Sequence, residues 1–248
     1  MTSGPPIDPA FDFNEETPPG RDADSVSPTL RSYHRLLWSK PLRSGATIEL
    51  FEPPSRRNGY LVNTSATSPV LHFGSDAITH SYSRWSKPKA LADSIASLDE
   101  AQRARYLFPP YTIGSAMVWP VRFATKPTMN QARGTRHRIA DRIDLTLECL
   151  RRYYIGRTDS PLADVLTAYS DFFDLFEDFD EFIEFFHYQD LVKSDGGIRY
   201  MIQFDEFSRH GAPQSKDEYI AYREATLQFI EARGERMRKW AARNISQG

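Results

Sequence analysis

Between Asp171 and Asp190 seven phenylalanines are interleaved with eight acidic residues and no basic residue intervenes, giving the segment a charge of −8. Seven rings cannot all stay in water. The rest of the chain must either wrap them in a broad core or leave some as a partner-binding face with an acidic rim. Phe172, Phe176, Phe179 and Phe186, with Ile183, fall at helical steps, while Phe173 and Phe185 lie toward another side. Both readings, core and protein-interaction face over 171–191, follow from this pattern.

The remaining helices are read from the same three- and four-residue steps. Ile139, Ile143, Leu147, Leu150 and Tyr154 predict one long helix following Asn130 and stopping at Gly156. Pro28 after Ser27 opens a short helix that ends before Pro41, and Ser215 with Glu218 forms a capping box ahead of a long final helix. Residues 89–107 read as helical, with a second start offered by Asp99 and Glu100. Shorter periods around Ile48/Leu50, Tyr60/Val62, Val70/His72, 113–123 and 198–204 predict strands, with Pro120 bending its own. The expected fold is α+β: a small, mostly antiparallel sheet packed with several helices, the long ones in the C-terminal half.

Residues 1–30 hold six prolines and six acids against the single Arg21. They are expected to form an extended arm that lays Phe11 and Phe13 on the core and turns at Thr17–Gly20, with 31–248 as a single domain. A chain of 248 residues, 40% of them hydrophobic, can close one sizeable core. The tetrapeptide at Trp38–Pro41 recurs at 85–88, and two chance exits from aromatic to turn account for it.

Charge and cysteine content restrict the function classes. Thirty-one basic residues nearly cancel 33 acidic ones, so a broadly polyanion-coating role is excluded and any anion site must be local. The lone Cys149 leaves no disulfide framework and no thiolate cluster for zinc or iron–sulfur, which points to a reducing cytoplasm. The first residues have neither a positive start nor an apolar run, so no targeting signal is expected. The longest uncharged apolar stretch, Tyr106–Val121, is broken by three prolines, so no membrane span is expected and no membrane partner is assigned. No cofactor motif is evident.

Three segments carry a family resemblance: Phe11–Phe13 with Thr17–Asp22 and Leu37–Leu42; Met129–Gly134 leading to Asp141–Tyr154; and Asp171–Val192. Together they resemble a bacterial family of unknown function over nearly the full chain. The resemblance implies a single-unit bacterial protein and transfers no activity.

Residues 131–157 hold seven arginines and only three acids, a local net of +4 in a chain of net −2. With Arg133 and Gly134 at a helix start, Asn130, Gln131, Arg136, Arg138 and Arg142 could gather round a phosphate, because free N–H groups and forked guanidinium donors both suit it. A nucleotide, another phosphate-bearing small molecule or a nucleic-acid end is the leading candidate ligand. The competing reading is an ion-pair ladder along the helix side. Asp141, Asp144 and Glu148 recur at helical steps and could serve a metal-assisted hydrolase, although the flanking arginines suit ion pairs better. His72, Asp76 and His80 have the spacing of a metal face if helical, but Gly74 and the β pattern favour a strand ending at a turn. Whether the chain is an enzyme is left open by its sequence. The basic C-terminal run with Trp240 suits either a nucleic-acid or membrane surface or the dipole of its own helix.

Overall fold

The computed structural model describes residues 6–51, 61–63, 72–82, 88–121 and 127–245. Ten helices and four strands form among them: α1 Ala23–Val26, α2 Pro28–Trp38, β1 Leu50–Phe51, β2 Leu61–Asn63, β3 His72–Ala77, α3 Lys89–Ala96, α4 Glu100–Tyr106, β4 Ala116–Val121, α5 Met129–Thr135, α6 Ile143–Tyr154, α7 Ala163–Ala168, α8 Ser170–Phe173, α9 Phe179–Phe185 and α10 Lys216–Ile245. The strands pair antiparallel in the order β1-β2-β3-β4. The fold is α+β, as the periodicities predict.

The register from His72↔Val121 to Ala77↔Ala116 makes β3 and β4 the longest pair. β3 runs straight through Gly74, which faces Trp119, so the expected turn at Gly74 is absent. A residue without a side chain leaves room opposite the indole. Pro120, paired with Phe73, sits on the edge strand, where its missing N–H costs no ladder bond. The turn expected near Asn58–Gly59, the strand residues Tyr60, Val70 and Phe123 and most of the second tetrapeptide lie outside the described residues.

One contiguous core runs from Ile7 to Ala241. All seven phenylalanines of 171–190 are buried in it, Phe173 and Phe185 included. Phe182 and Phe186 approach to 4.8 Å and Phe176 meets Phe182 edge-on at 5.2 Å. The aromatic face therefore serves the core, and no phenylalanine of that segment is left for a partner. Two short helices, α8 and α9, stand where the helical steps of this stretch suggest a continuous one.

α10 is the long final helix. Ser215 Oγ accepts the Glu218 N–H at 3.1 Å, and Tyr219, Tyr222, Phe229, Ile230 and Met237 lie buried along it. The helix passes the entry to β4 so closely that a Cβ on Gly114 would fall 2.0 Å from the Ile230 carbonyl oxygen. Arg233, fully buried, donates to the carbonyls of Gly114 and Ala116 at 2.8 Å and of Phe186 at 3.0 and 3.1 Å.

The alternation at 198–204 does not build a strand. Met201 N–H is bound by the Asp144 carboxylate at 2.9 Å and the Ile202 carbonyl takes Arg142 Nη2 at 3.4 Å, so buried side chains satisfy this backbone in place of a neighbouring strand.

Near the N-terminus Phe13 is fully buried, edge-on to Tyr33 and Tyr111 at 6.0 and 5.5 Å, and Phe11 is half-buried beside it. Gly20 takes φ +76 at the turn, and Asp22 then caps the single-turn α1.

Candidate functional site

β3 delivers Asp76 and the loop 78–82 to one wall of a cavity of about 600 Å³, and the N-terminal segment closes the facing wall with Asp12, Asp22 and Asp24. Asp141 and Tyr111 complete it. Five aspartates thus line the space, and Arg21 is the one arginine or lysine among its lining residues. The cavity is electronegative.

Asp24 ends a directed chain of hydrogen bonds. Trp38 Nε1 donates to His34 Nδ1 at 2.7 Å, which leaves the His34 proton on Nε2, 3.0 Å from Ser75 Oγ. Ser75 in turn donates to Asp24 Oδ1 at 2.8 Å, and the Tyr111 hydroxyl donates to the same oxygen. Both donors are spent on Oδ1, leaving Oδ2 for the cavity. Burial is the main force lifting this carboxyl to about 6, against the two hydroxyl donors that lower it. His34 is held neutral, pushed down to about 3 by its own burial and then by Arg233.

Beneath the cavity lies a fixed cation. Arg133, with no exposed surface, places Nη1 2.8 Å from Asp76 Oδ2 and Nη2 3.0 Å from Asp141 Oδ1, with its guanidinium 5.2 Å from the Trp119 ring centre. Nη2 aims its hydrogen at the Asp141 carbonyl at 3.3 Å, so the contact with Oδ1 is an ion pair only. Thr79 donates to Asp141 Oδ2, and the Ala77 N–H binds Asp76 Oδ1 at 2.9 Å. Asp76 rises to about 7, first through burial and then through the neighbouring Asp141 and Asp24, although Arg133 pulls it down. Asp141 rises for the same first reason.

Backbone strain converges on the same place. Tyr82, Ala140 and Asp141 all have positive φ, at 54°, 48° and 59°. Such residues cost roughly 1–3 kcal/mol each and persist where surrounding bonds enforce them. Tyr82 donates to the Ala140 carbonyl at 2.8 Å and Asp141 N–H to the Arg133 carbonyl at 2.9 Å.

This loop corrects the expected long helix. α5 ends at Thr135 and α6 starts only at Ile143, so Arg133 and Gly134 occupy the last turn of a short helix, the end that repels anions. The arginines are not gathered. Arg133 is turned inward, Arg142 is buried on Asp144 at 2.5 Å, Arg136 pairs with Asp164 at 2.5 Å and Arg138 alone is exposed. Gln131 closes the α5 capping box with Thr128, and Asn130 sits half-buried beside it. The ladder reading holds in part: Glu148 bridges Arg151 at 2.9 Å and Arg152 at 2.8 Å.

The acidic trio separates for the same reason. Asp141 reaches the cavity, Asp144 lies under Arg142, and Glu148 is paired within α6, so the carboxylates at 141, 144 and 148 do not converge. His72 and Asp76 occupy opposite ends of the straight strand β3, about 13 Å apart at the usual rise. Only Asp76 and His80 line the cavity, and no group of three His, Cys, Asp or Glu among the described residues could hold a metal ion. Cys149 is buried and its thiol is pushed up to about 12 by burial, as suits a structural cysteine. Sequence reading passed over Asp24, Ser75 and Tyr111. Nothing local marks them: Asp24 and Tyr111 stand 87 positions apart.

A small antiparallel sheet that carries an acid-lined cavity on one end of its longest strand pair is the class of protein defined here. The chain belongs to a family of unknown function, DUF6994, whose profile matches residues 7–237. No curated protein and no solved structure matches it. No helix among the described residues is long and apolar enough to cross a membrane.

Proposed function

We propose that the cavity is a general acid–base site for a small polar ligand, uncharged or cationic, with Asp24 as the group that moves the proton. The supporting observation is the convergence of Asp24, Asp76 and Asp141 on one cavity above the buried Arg133. A carboxyl near 6 can both give and take a proton at neutral pH, and the open Oδ2 is its working atom. Both oxygens of Asp76 are already engaged, so Asp76, Arg133 and Asp141 set the local field. The five-aspartate lining attracts ammonium or hydroxyl-rich ligands and repels phosphate.

A phosphate-bearing ligand at 131–142 is the weaker reading. Arg133 and Arg142 are spent inside the fold, and the pocket beside Arg138 holds only about 10 Å³. A bacterial, cytoplasmic setting goes with the proposal, in keeping with one buried, unpaired cysteine.

A thermal-shift screen of neutral sugars, polyamines and phosphates at pH 5.5 and 7.5 tests the proposal, with hits repeated on Asp24→Asn. Uncharged or cationic hits weakened by the substitution are expected. Hits confined to phosphates, or indifferent to Asp24→Asn, overturn it.

A further inference from the structure

On another face of the molecule the turn after α2, the end of α9 and the last turns of α10 enclose a second cavity of about 410 Å³. Lys40 projects into it among aromatic rings. Its Nζ lies 4.8 Å from the ring centre of Phe185, 5.2 Å from that of Trp240 and 5.9 Å from that of Trp38. Its polar partners are His187 Nε2 at 3.3 Å and the Glu184 carbonyl oxygen at 3.5 Å, and no carboxylate among the described residues pairs with this amine. His187 is itself held at φ 58°.

The surroundings favour an uncharged amine. Burial is the main cause that brings Lys40 down to about 7, and the buried Arg233 adds to it, whereas Glu184 opposes it. His187 is pushed down to about 2, first by burial and then by Lys40, Arg233 and Arg236, so it stays a neutral acceptor for a Lys40 N–H. Around the mouth stand Arg43, Arg236 and Arg243 together with Glu181 and Glu184, Glu181 accepting the backbone N–H groups of Arg43 and Glu177. Arg43 is held by Asp178 and Glu184 and Arg236 by Asp190, while Arg243 donates from Nε to the Lys239 carbonyl of its own helix at 3.2 Å. The basic C-terminal run thus has a cavity in front of it, beyond any service to its helix dipole.

We infer that this cavity takes a small aldehyde bearing a phosphate or carboxylate, with Arg243, the rim arginine that no carboxylate among the described residues holds, binding the anion and Lys40 Nζ forming an imine with the carbonyl. The Nζ lone pair attacks the carbonyl carbon, the carbonyl oxygen collects both amine protons and leaves as water, and a C=N bond remains. Protonation of the imine nitrogen draws one further proton from solvent. No oxidant or reductant is consumed.

The test uses the full chain with limiting glyceraldehyde 3-phosphate or unphosphorylated glyceraldehyde at pH 7, followed by cyanoborohydride and peptide mapping. Labelling of Lys40 is expected to exceed that of Lys193 or Lys216 by more than about tenfold, since an ordinary lysine near 10.4 is almost wholly protonated at that pH. The phosphorylated aldehyde should label Lys40 faster than the plain one, and Arg243→Gln should remove most of that difference without changing the melt. Equal labelling of the lysines overturns the imine, and equal rates for the two aldehydes overturn the anion rim. Lys40→Met, which keeps an unbranched, uncharged side chain among the same rings, should abolish the label with little change in melting temperature.

Discussion

Arg133 Nη1 lies 2.8 Å from Asp76 Oδ2, and the guanidinium that makes this contact has no exposed surface. A buried cation is tolerable only while its carboxylates compensate it, and the carboxylates only while it remains.

Arg133→Met is therefore expected to cost about 3–5 kcal/mol at pH 8, because Asp76 and Asp141 are left as uncompensated buried charges. At pH 5 both acids can take up protons and the cost should shrink. Urea unfolding of the variant at the two pH values checks this, and an equal cost at both would show that the ion pairs contribute little.

Asp24 gives a second pH-dependent outcome. Its folded value, about 6, lies above the ordinary 3.8, so the fold favours the protonated form. Stability from this group is present below 3.8 and lost as pH rises through 6. The gap corresponds to about 3 kcal/mol, an order-of-magnitude figure. Buried, neutral His34 acts in the opposite direction, losing stability as pH falls from 6.5 toward 3. The wild-type profile mixes both slopes, so the informative quantity is the difference from Asp24→Asn. The variant should gain on the wild type between pH 4 and pH 7 in denaturant midpoint, and a constant difference would place Asp24 at its ordinary value.

Gly114→Ala tests the contact between the entry to β4 and α10. An added methyl carbon would stand 2.0 Å from a helix carbonyl oxygen, which only a backbone shift can relieve. A loss of about 3 kcal/mol is expected by calorimetry or urea melt.

Phe13→Ala removes a fully buried ring that packs against Tyr33 and Tyr111. It should cost about 3–5 kcal/mol. Because Tyr111 also binds Asp24, this variant should lose ligands of the acid-lined cavity as well, which titration would detect.

The sequence made the elements with strong local signals legible. Pro28 after Ser27, Ser215 before α10 and the spacing of Ile143, Leu147 and Leu150 each carry their own cap or stripe; the first two open helices as expected, and the third forms over Ile143–Tyr154 only. What escaped depends on distant partners. Residues 136–142 keep a helical-looking composition, yet Gly211 N–H binds the His137 carbonyl and Asp141 N–H the Arg133 carbonyl, and these bonds draw the chain out of the helix. The alternation at 198–204 is genuine, but its backbone partners are Asp144 and Arg142, some 60 positions earlier. The acid-lined site was illegible for the same reason, since its members meet only in space. Asp76 and Asp141 stand out in the sequence singly, for spacings that the strand and the broken helix do not preserve.

Tyr222, near the start of α10, donates to the carbonyl of Thr79, 143 positions earlier. The wall of the acid-lined cavity is thus tied down by a residue synthesised well after every aspartate that lines it. Until Tyr222 is made, Asp24 and its neighbours wait without that tether, and such long-range closure is intrinsically slow. A nascent chain halted before Tyr222 would carry every aspartate of the cavity and lack the tether that fixes their wall, so competence to bind is acquired only once Tyr222 has emerged.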